Sequence, residues 1–275
     1  MESLTFHQLN SENALNYTLS IRLMPDGFSF SIHNLLQDNS FCYSKTDVPA
    51  NSSYLSVLSE RVLSEENLLL PFKKVEVIVV SERFTFMPAQ FFDESKKSAV
   101  YNFTLSSRDE EILSNNISHF NMVNIFGVDS EIYSFLNRTF CSPKYYHHLS
   151  ILSEYFTLKS KFGNNDKMYV QIREHRLDIV CVRKGKLLLA NSYHYNHVND
   201  IAYFILNTWA QINFDAQNDQ LNITGERDVL EQTTAILKPY VALIAPVVFP
   251  AQIFSVGKEI INAPFDLIAL QVLCV

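Results

Sequence analysis

Residues 168–206 read MYVQIREHRLDIVCVRKGKLLLANSYHYNHVNDIAYFIL, and the apolar period changes from two to a helical spacing along the stretch. MYVQI from Met168 and LDIVCV from Leu177 alternate around the polar turn Arg173-Glu174-His175-Arg176, which predicts an antiparallel hairpin. Lys184-Gly185 turns the chain into KLLLANSYHY, a third strand. Val198 to Trp209 then sets Ile201, Phe204, Ile205, Thr208 and Trp209 on one helical face, with Asn199 near its start. QLNITG from Gln220 reads as a short strand ending in a turn, and Arg227 to Tyr240 as a helix. The order is β-β-β-α-β-α.

The same order is legible upstream. TLSIRLMPDGFSFSI (18–32) holds two alternating runs around Pro25-Asp26-Gly27, the composition of a tight hairpin turn. FCYS from Phe41 is a third short run, Ser52 to Leu70 has helical spacing, and KVEVIVV from Lys74 is a β-branched strand. A helix is expected from Pro88 through Tyr101. Lining up the halves pairs Ile21-Arg22 with Ile172-Arg173, and Val75 to Ser81 with Gln220 to Thr224. Between the copies, NMVNIFGV reads as a strand, EIYSFLNRTF as a helix, and KYYHHL as a strand entering a helix from Leu149 to Lys161. Phe162-Gly163-Asn164-Asn165-Asp166 ends that helix and serves as the hinge. The break falls between about Ser150 and Asn165, giving domains 1–155 and 156–275.

Composition narrows the chemistry. The 275 residues carry 22 basic and 29 acidic side chains, and a net charge of −7 argues against duplex nucleic acid or an anionic membrane as the main partner. Hydrophobics at 47% place the chain among folded proteins. Six glycines are few for phosphate-cradling loops. MESLTFHQLNSENALN lacks a basic start and an apolar run, so a cytoplasmic location is expected. VALIAPVVFPAQIF from Val241 is too short for a membrane span and reads as buried strand and turn. Cys42, Cys141, Cys181 and Cys274 lie far apart and read as reduced core residues.

A duplicated unit of this order resembles the actin-like ATPase fold, an α/β architecture of two ribonuclease H-like domains. The segment 168–206 is similar to the opening of the second domain in the pilus-assembly and cell-division members. Together with VEVIVVSERFTFMPAQFFDE and LNITGE, it more closely resembles a family of uncharacterised bacterial proteins assigned that fold. The likeness spans roughly Leu19 to Tyr240.

The resemblance implies an Asp-x-Gly-x-x-Ser/Thr pattern in both hairpins of active members, the Asp serving a metal and the Gly and hydroxyl approaching phosphates. Arg22 or its neighbour stands where the first Asp is expected, and Asp26-Gly27-Phe28-Ser29 forms the loop, with Phe28 filling phosphate space. The second hairpin has neither Gly nor Asp between Ile172 and Arg176. The adenosine loop keeps one glycine in Ile223-Thr224-Gly225-Glu226. No catalytic or metal-ligating residue is assigned, and ATP with magnesium is not supported by these motifs. The cleft candidates are Asp26, Gly27, Arg173, Arg176, Thr224, Gly225 and Glu226.

Other constellations read more simply. His147-His148 and His194-x-x-His197 are taken as surface or capping histidines, and no G-x-S-x-G elbow occurs. Phe84, Phe86, Phe91 and Phe92 are expected in a core. The leading expectation is a non-catalytic actin-like scaffold with a protein partner. The alternative is a protein that binds a nucleotide or another phosphorylated ligand through Arg173, Arg176 and the Gly225 turn.

Overall fold

A computed structural model describes residues 9–161, 165–173, 175–250, 253, 255–257, 260 and 263–273. Of the expected hinge, Phe162, Gly163 and Asn164 lie outside the described residues. After a single turn, α1 (Ser11–Ala14), come β1 (Thr18–Met24), β2 (Gly27–His33), β3 (Cys42–Asp47), α2 (Tyr54–Ser64) and β4 (Lys74–Val79). Period-two alternation sends Leu19, Ile21 and Leu23 of β1, with Phe28, Phe30 and Ile32 of β2, into a core shared with Leu58 and Val62 of α2. The opposite face carries Ser20, Arg22, Ser29, Ser31 and His33, all buried.

Next follow β5 (Phe84–Pro88), α3 (Lys97–Thr104), β6 (Glu110–Ile117), β7 (Met122–Asp129), α4 (Ser130–Thr139) and β8 (Lys144–His147). β8 completes a sheet of order β3-β2-β1-β4-β8, whereas β5, β7 and β6 form a separate three-stranded sheet. The helix expected from Pro88 therefore begins only at Lys97. Pro88 instead closes β5, whose outer edge tolerates a missing N–H. Asn115 joins the two sheets by standing in for a strand neighbour. Its amide donates to the Tyr145 carbonyl at 2.9 Å and accepts from the His147 N–H at 2.8 Å. Phe84, Phe86 and Phe92 pack partly into the cores, but Phe91 is 69% exposed, against expectation.

The second half contains α5 (His148–Lys159), β9 (Lys167–Arg173), β10 (Arg176–Arg183), β11 (Lys186–His194), α6 (Val198–Gln211), β12 (Gln220–Gly225), α7 (Arg227–Leu237), β13 (Leu243–Pro246) and α8 (Phe265–Leu273). Its sheet order, β11-β10-β9-β12-β13, repeats that of the first sheet strand for strand. The duplicated plan is thus the observed one. Both hairpins turn through two residues, Met24 facing Gly27 and Arg173 facing Arg176. That alignment corrects the expected one by two residues: Arg22, opposite Ser29, corresponds to Gln171, opposite Asp178. β13 is an edge strand with Leu243 43% exposed, so the apolar run from Val241 is not the buried strand expected. Cys42 and Cys181 are buried, Cys141 is exposed, and Cys274 lies outside the described residues.

Between the sheets lie α5 and α8. Nine of the twelve α5 residues are buried, which suits a helix packed on all sides rather than along one stripe. Phe265 of α8 stacks on Phe156 of α5 at 5.3 Å, and Phe156 on Tyr169 of β9 at 4.2 Å. Replacing Phe156 by Ala removes the middle ring of this stack and is expected to cost about 3–5 kcal/mol, against within about 0.5 for Phe91→Ala. Urea denaturation of the two variants measures the difference.

Candidate functional site

The cleft is built where the β1–β2 and β9–β10 hairpins face each other across α5 and α8. On the first side, the Arg22 guanidinium is 2% exposed and its Nε donates to both carboxylate oxygens of Asp266, at 3.0 and 3.1 Å. Asp266 is itself fully buried at the start of α8. Further along the same polar face, Gln271 of α8 donates to the Ser20 hydroxyl at 3.2 Å and to Glu76 at 3.4 Å.

On the second side, Asp178 collects three donors. His148 Nε2 lies 3.0 Å from Oδ1, Ser192 donates to Oδ1 at 2.6 Å, and the Gln171 amide donates to Oδ2 at 3.2 Å. Burial alone would raise the Asp178 carboxyl, but the His148 and Ser192 contacts and the Arg176 charge hold it below the ordinary carboxylate value. His148 Nδ1 faces the Val79 carbonyl at 3.3 Å, so this ring spans from β4 to β10. Both its nitrogens lie within hydrogen-bond reach of oxygen atoms. His147 is buried beside it, with Nε2 at 3.0 Å from the Ser81 carbonyl and Nδ1 accepting from the Leu149 N–H. Neither histidine is at the surface, but His147 does cap a helix, as the N-cap of α5. His194 and His197 are exposed, as expected.

The sequence candidates divide into two groups. Asp26 is exposed in its turn, where its carbonyl accepts from Val48 N–H. At Gly27 a Cβ would meet the Thr46 carbonyl oxygen at 2.5 Å, so β3 rather than a phosphate demands the glycine. Phe28 turns away from the cleft into the first core, edge-on to Phe30 and Tyr54, and does not occupy phosphate space. At Gly225 a Cβ would collide with the Ile172 carbonyl of β9. Arg176 donates to Glu82 at 3.1 Å, a second tie between the halves.

Arg173, Thr224 and Gly225 are brought together with Gln171 around a cavity of about 200 Å³ at the carboxyl ends of β9, β12 and β13. Arg173 and Glu226 line a second cavity of about 290 Å³ with His175 and Tyr195. Asp26 and Gly27 line neither. Gln171 and Asp266 were not among the residues that the sequence singled out. The one available signal was a carboxylate at Asp178 inside the otherwise apolar LDIVCV.

Two consequences are measurable. Asp266→Ala takes its carboxylate counter-charge from a buried guanidinium and is expected to cost about 3–5 kcal/mol, whereas Arg22→Met with Asp266→Leu costs far less. Denaturation midpoints of the single and double variants decide this. Burial, aided by the Lys74 charge, pushes His33 down to about 4 against the Gln271 hydrogen bond, and burial with the neighbouring His148 charge holds His147 well below its usual value. Unfolded histidines take up protons near pH 6.5, so stability falls as pH drops from there towards 4. The His33 share is on the order of 3 kcal/mol. His33→Gln should flatten that slope in denaturation curves recorded between pH 7.5 and 4.5.

Residues 7–244 match the family described as "Protein of unknown function (DUF3822)". A crystallised Bacteroides thetaiotaomicron protein with an actin-like ATPase fold and unknown function is 30% identical, with TM-score 0.81 over 96% of this chain and 98% of that one. A PilM–PilN type IV pilus biogenesis complex aligns at TM-score 0.60 and 9% identity, over 92% of this chain and 96% of that one, a likeness of fold alone. No curated protein matches. The chain belongs to the DUF3822 family of unknown function and has the two-domain actin-like ATPase fold.

Proposed function

We propose that this chain is a non-hydrolysing scaffold or protein-interaction module, acting in the cytoplasm, in which the actin-like cleft holds the two halves together. The observation that carries the reading is Arg22, placed where the fold's metal-serving Asp is expected and buried against Asp266. A guanidinium has five donors and no acceptor, so it cannot ligate magnesium and repels it. Asp178 already accepts from three side chains, and magnesium there would have to break bonds that its burial requires. Gly27 and Gly225 face neighbouring carbonyls rather than an open cradle. On this reading ATP with magnesium does not fit this set of residues.

A second reading rests on Arg173, which lines both cavities beside the β9–β10 turn. A phosphorylated ligand smaller than a nucleoside triphosphate would find a cation, the Thr224 hydroxyl and the Gly225 turn at one end of the 200 Å³ cavity.

Titration calorimetry with ATP and magnesium tests the first reading. No saturable heat and no hydrolysis above background are expected. Micromolar binding, about 8 kcal/mol, with hydrolysis abolished by Asp26→Ala and Glu226→Ala, would overturn it. For the second reading, a sugar-phosphate panel should raise the melting temperature of the native chain and leave Arg173→Met unmoved. A flat response in both removes that reading.

A further inference from the structure

We infer that the open edge of the second sheet is a two-fold interface that takes a second copy of this chain. Among the described residues β13 pairs only with β12, and beside it, against α7, runs a groove of about 490 Å³ walled by Leu230, Thr234, Ala235, Ile244, Ala245 and Pro246. The surface around it is apolar: Leu243 is 43% and Val248 81% exposed.

Charge identifies the occupant. Glu231 of α7 and Lys238 at its C-terminal cap flank the groove, seven residues or roughly 10 Å apart, with Thr234 and Ala235 midway between them. A two-fold axis through that midpoint runs the helices antiparallel and sets each Glu231 opposite the other copy's Lys238. An unrelated partner would have to supply that pattern, whereas a second copy carries it. Glu231 accepts from Arg227 at 2.9 Å, but that pair is exposed and worth little, leaving the carboxylate able to exchange partners.

The strand agrees in level. From Lys238 to the helix midpoint is about 5 Å of helix, and from Leu243 to the middle of β13 about 5 Å of strand. Val247 N–H donates inward to the Ile223 carbonyl. Alternation along a parallel strand therefore turns the Ile244 N–H and C=O outward, where two copies exchange a pair of hydrogen bonds. Pro246, without an N–H, confines the pairing to that point, and the groove supplies the remaining contact. None of this depends on what the cleft binds.

Sedimentation velocity of the full chain, from about 1 to about 100 μM, tests the interface. A dimer is expected. Glu231→Lys and Lys238→Glu should each weaken it by about tenfold or more through like-charge contact, and the double exchange should restore it. Circular dichroism confirms that these exposed variants fold. A monomer throughout the range overturns the inference. So does a dimer indifferent to both single exchanges, or one that the double exchange fails to rescue. Nucleotide titration reads a different property, so failure here and failure of the scaffold reading are distinguishable.

Discussion

The buried pair of Arg22 and Asp266 is the constraint on which the arrangement of this molecule depends. A guanidinium taken out of water must be neutralised where it sits, and here the counter-charge comes from a residue 244 positions away. The C-terminal helix therefore has one seat, against the polar face of the first sheet, with Asp266 over Arg22 and Gln271 over Ser20. Once α8 is seated, Phe265 stacks on Phe156, and Phe156 on Tyr169, so the order imposed at the first sheet passes through α5 to the second. A polar requirement fixes the layer, and aromatic packing fills it.

Further ties join the halves near the hairpins. His148 reaches from the Val79 carbonyl to Asp178, and Arg176 reaches Glu82. A cleft that opens and closes on a ligand needs contacts that differ between the two states. In this chain Arg22 and Asp178 already have their partners inside the cleft, so opening would leave Asp178 or the His148 ring short of partners in a dry setting. That balance supports a fixed spacing between the two domains.

Much of the fold was legible because it is local. Pro25-Asp26-Gly27 and Lys184-Gly185 sit between alternating runs, and turn chemistry together with period two leaves few other structures open. The register between the halves was not, because Ile-Arg occurs in both hairpins two positions out of step, and only the shared two-residue turn aligns them. β6 escaped notice because EEILSNNI is mostly polar, and its place is set by pairing with β7 and by Asn115 on the β8 edge. The burial of His147 and His148, which read as surface or capping residues, was hidden for a related reason. Their acceptors, on Ser81, Val79 and Asp178, lie up to 69 residues away, and polarity alone cannot separate a satisfied buried imidazole from a solvated one. Arg173, Thr224, Gly225 and Glu226 did converge, since strand ends in a repeated topology place them together whatever the side chains are.

The two halves solve one problem with opposite signs. Equivalent cross-strand pairs face the connecting layer: Arg22 with Ser29 in the first sheet, Gln171 with Asp178 in the second. Each pair carries a single charge, positive in one and negative in the other, and neither strand partner can neutralise it. The layer meets both, with the Asp266 carboxylate from α8 and a hydrogen bond to the His148 imidazole from α5. Phe265 and Phe156 pack α8 on α5, so neither helix can shift without disturbing the other's buried polar contact. Arg22 and Asp178, on equivalent cross-strand pairs of the two sheets, thus both make hydrogen bonds to the helical layer between them.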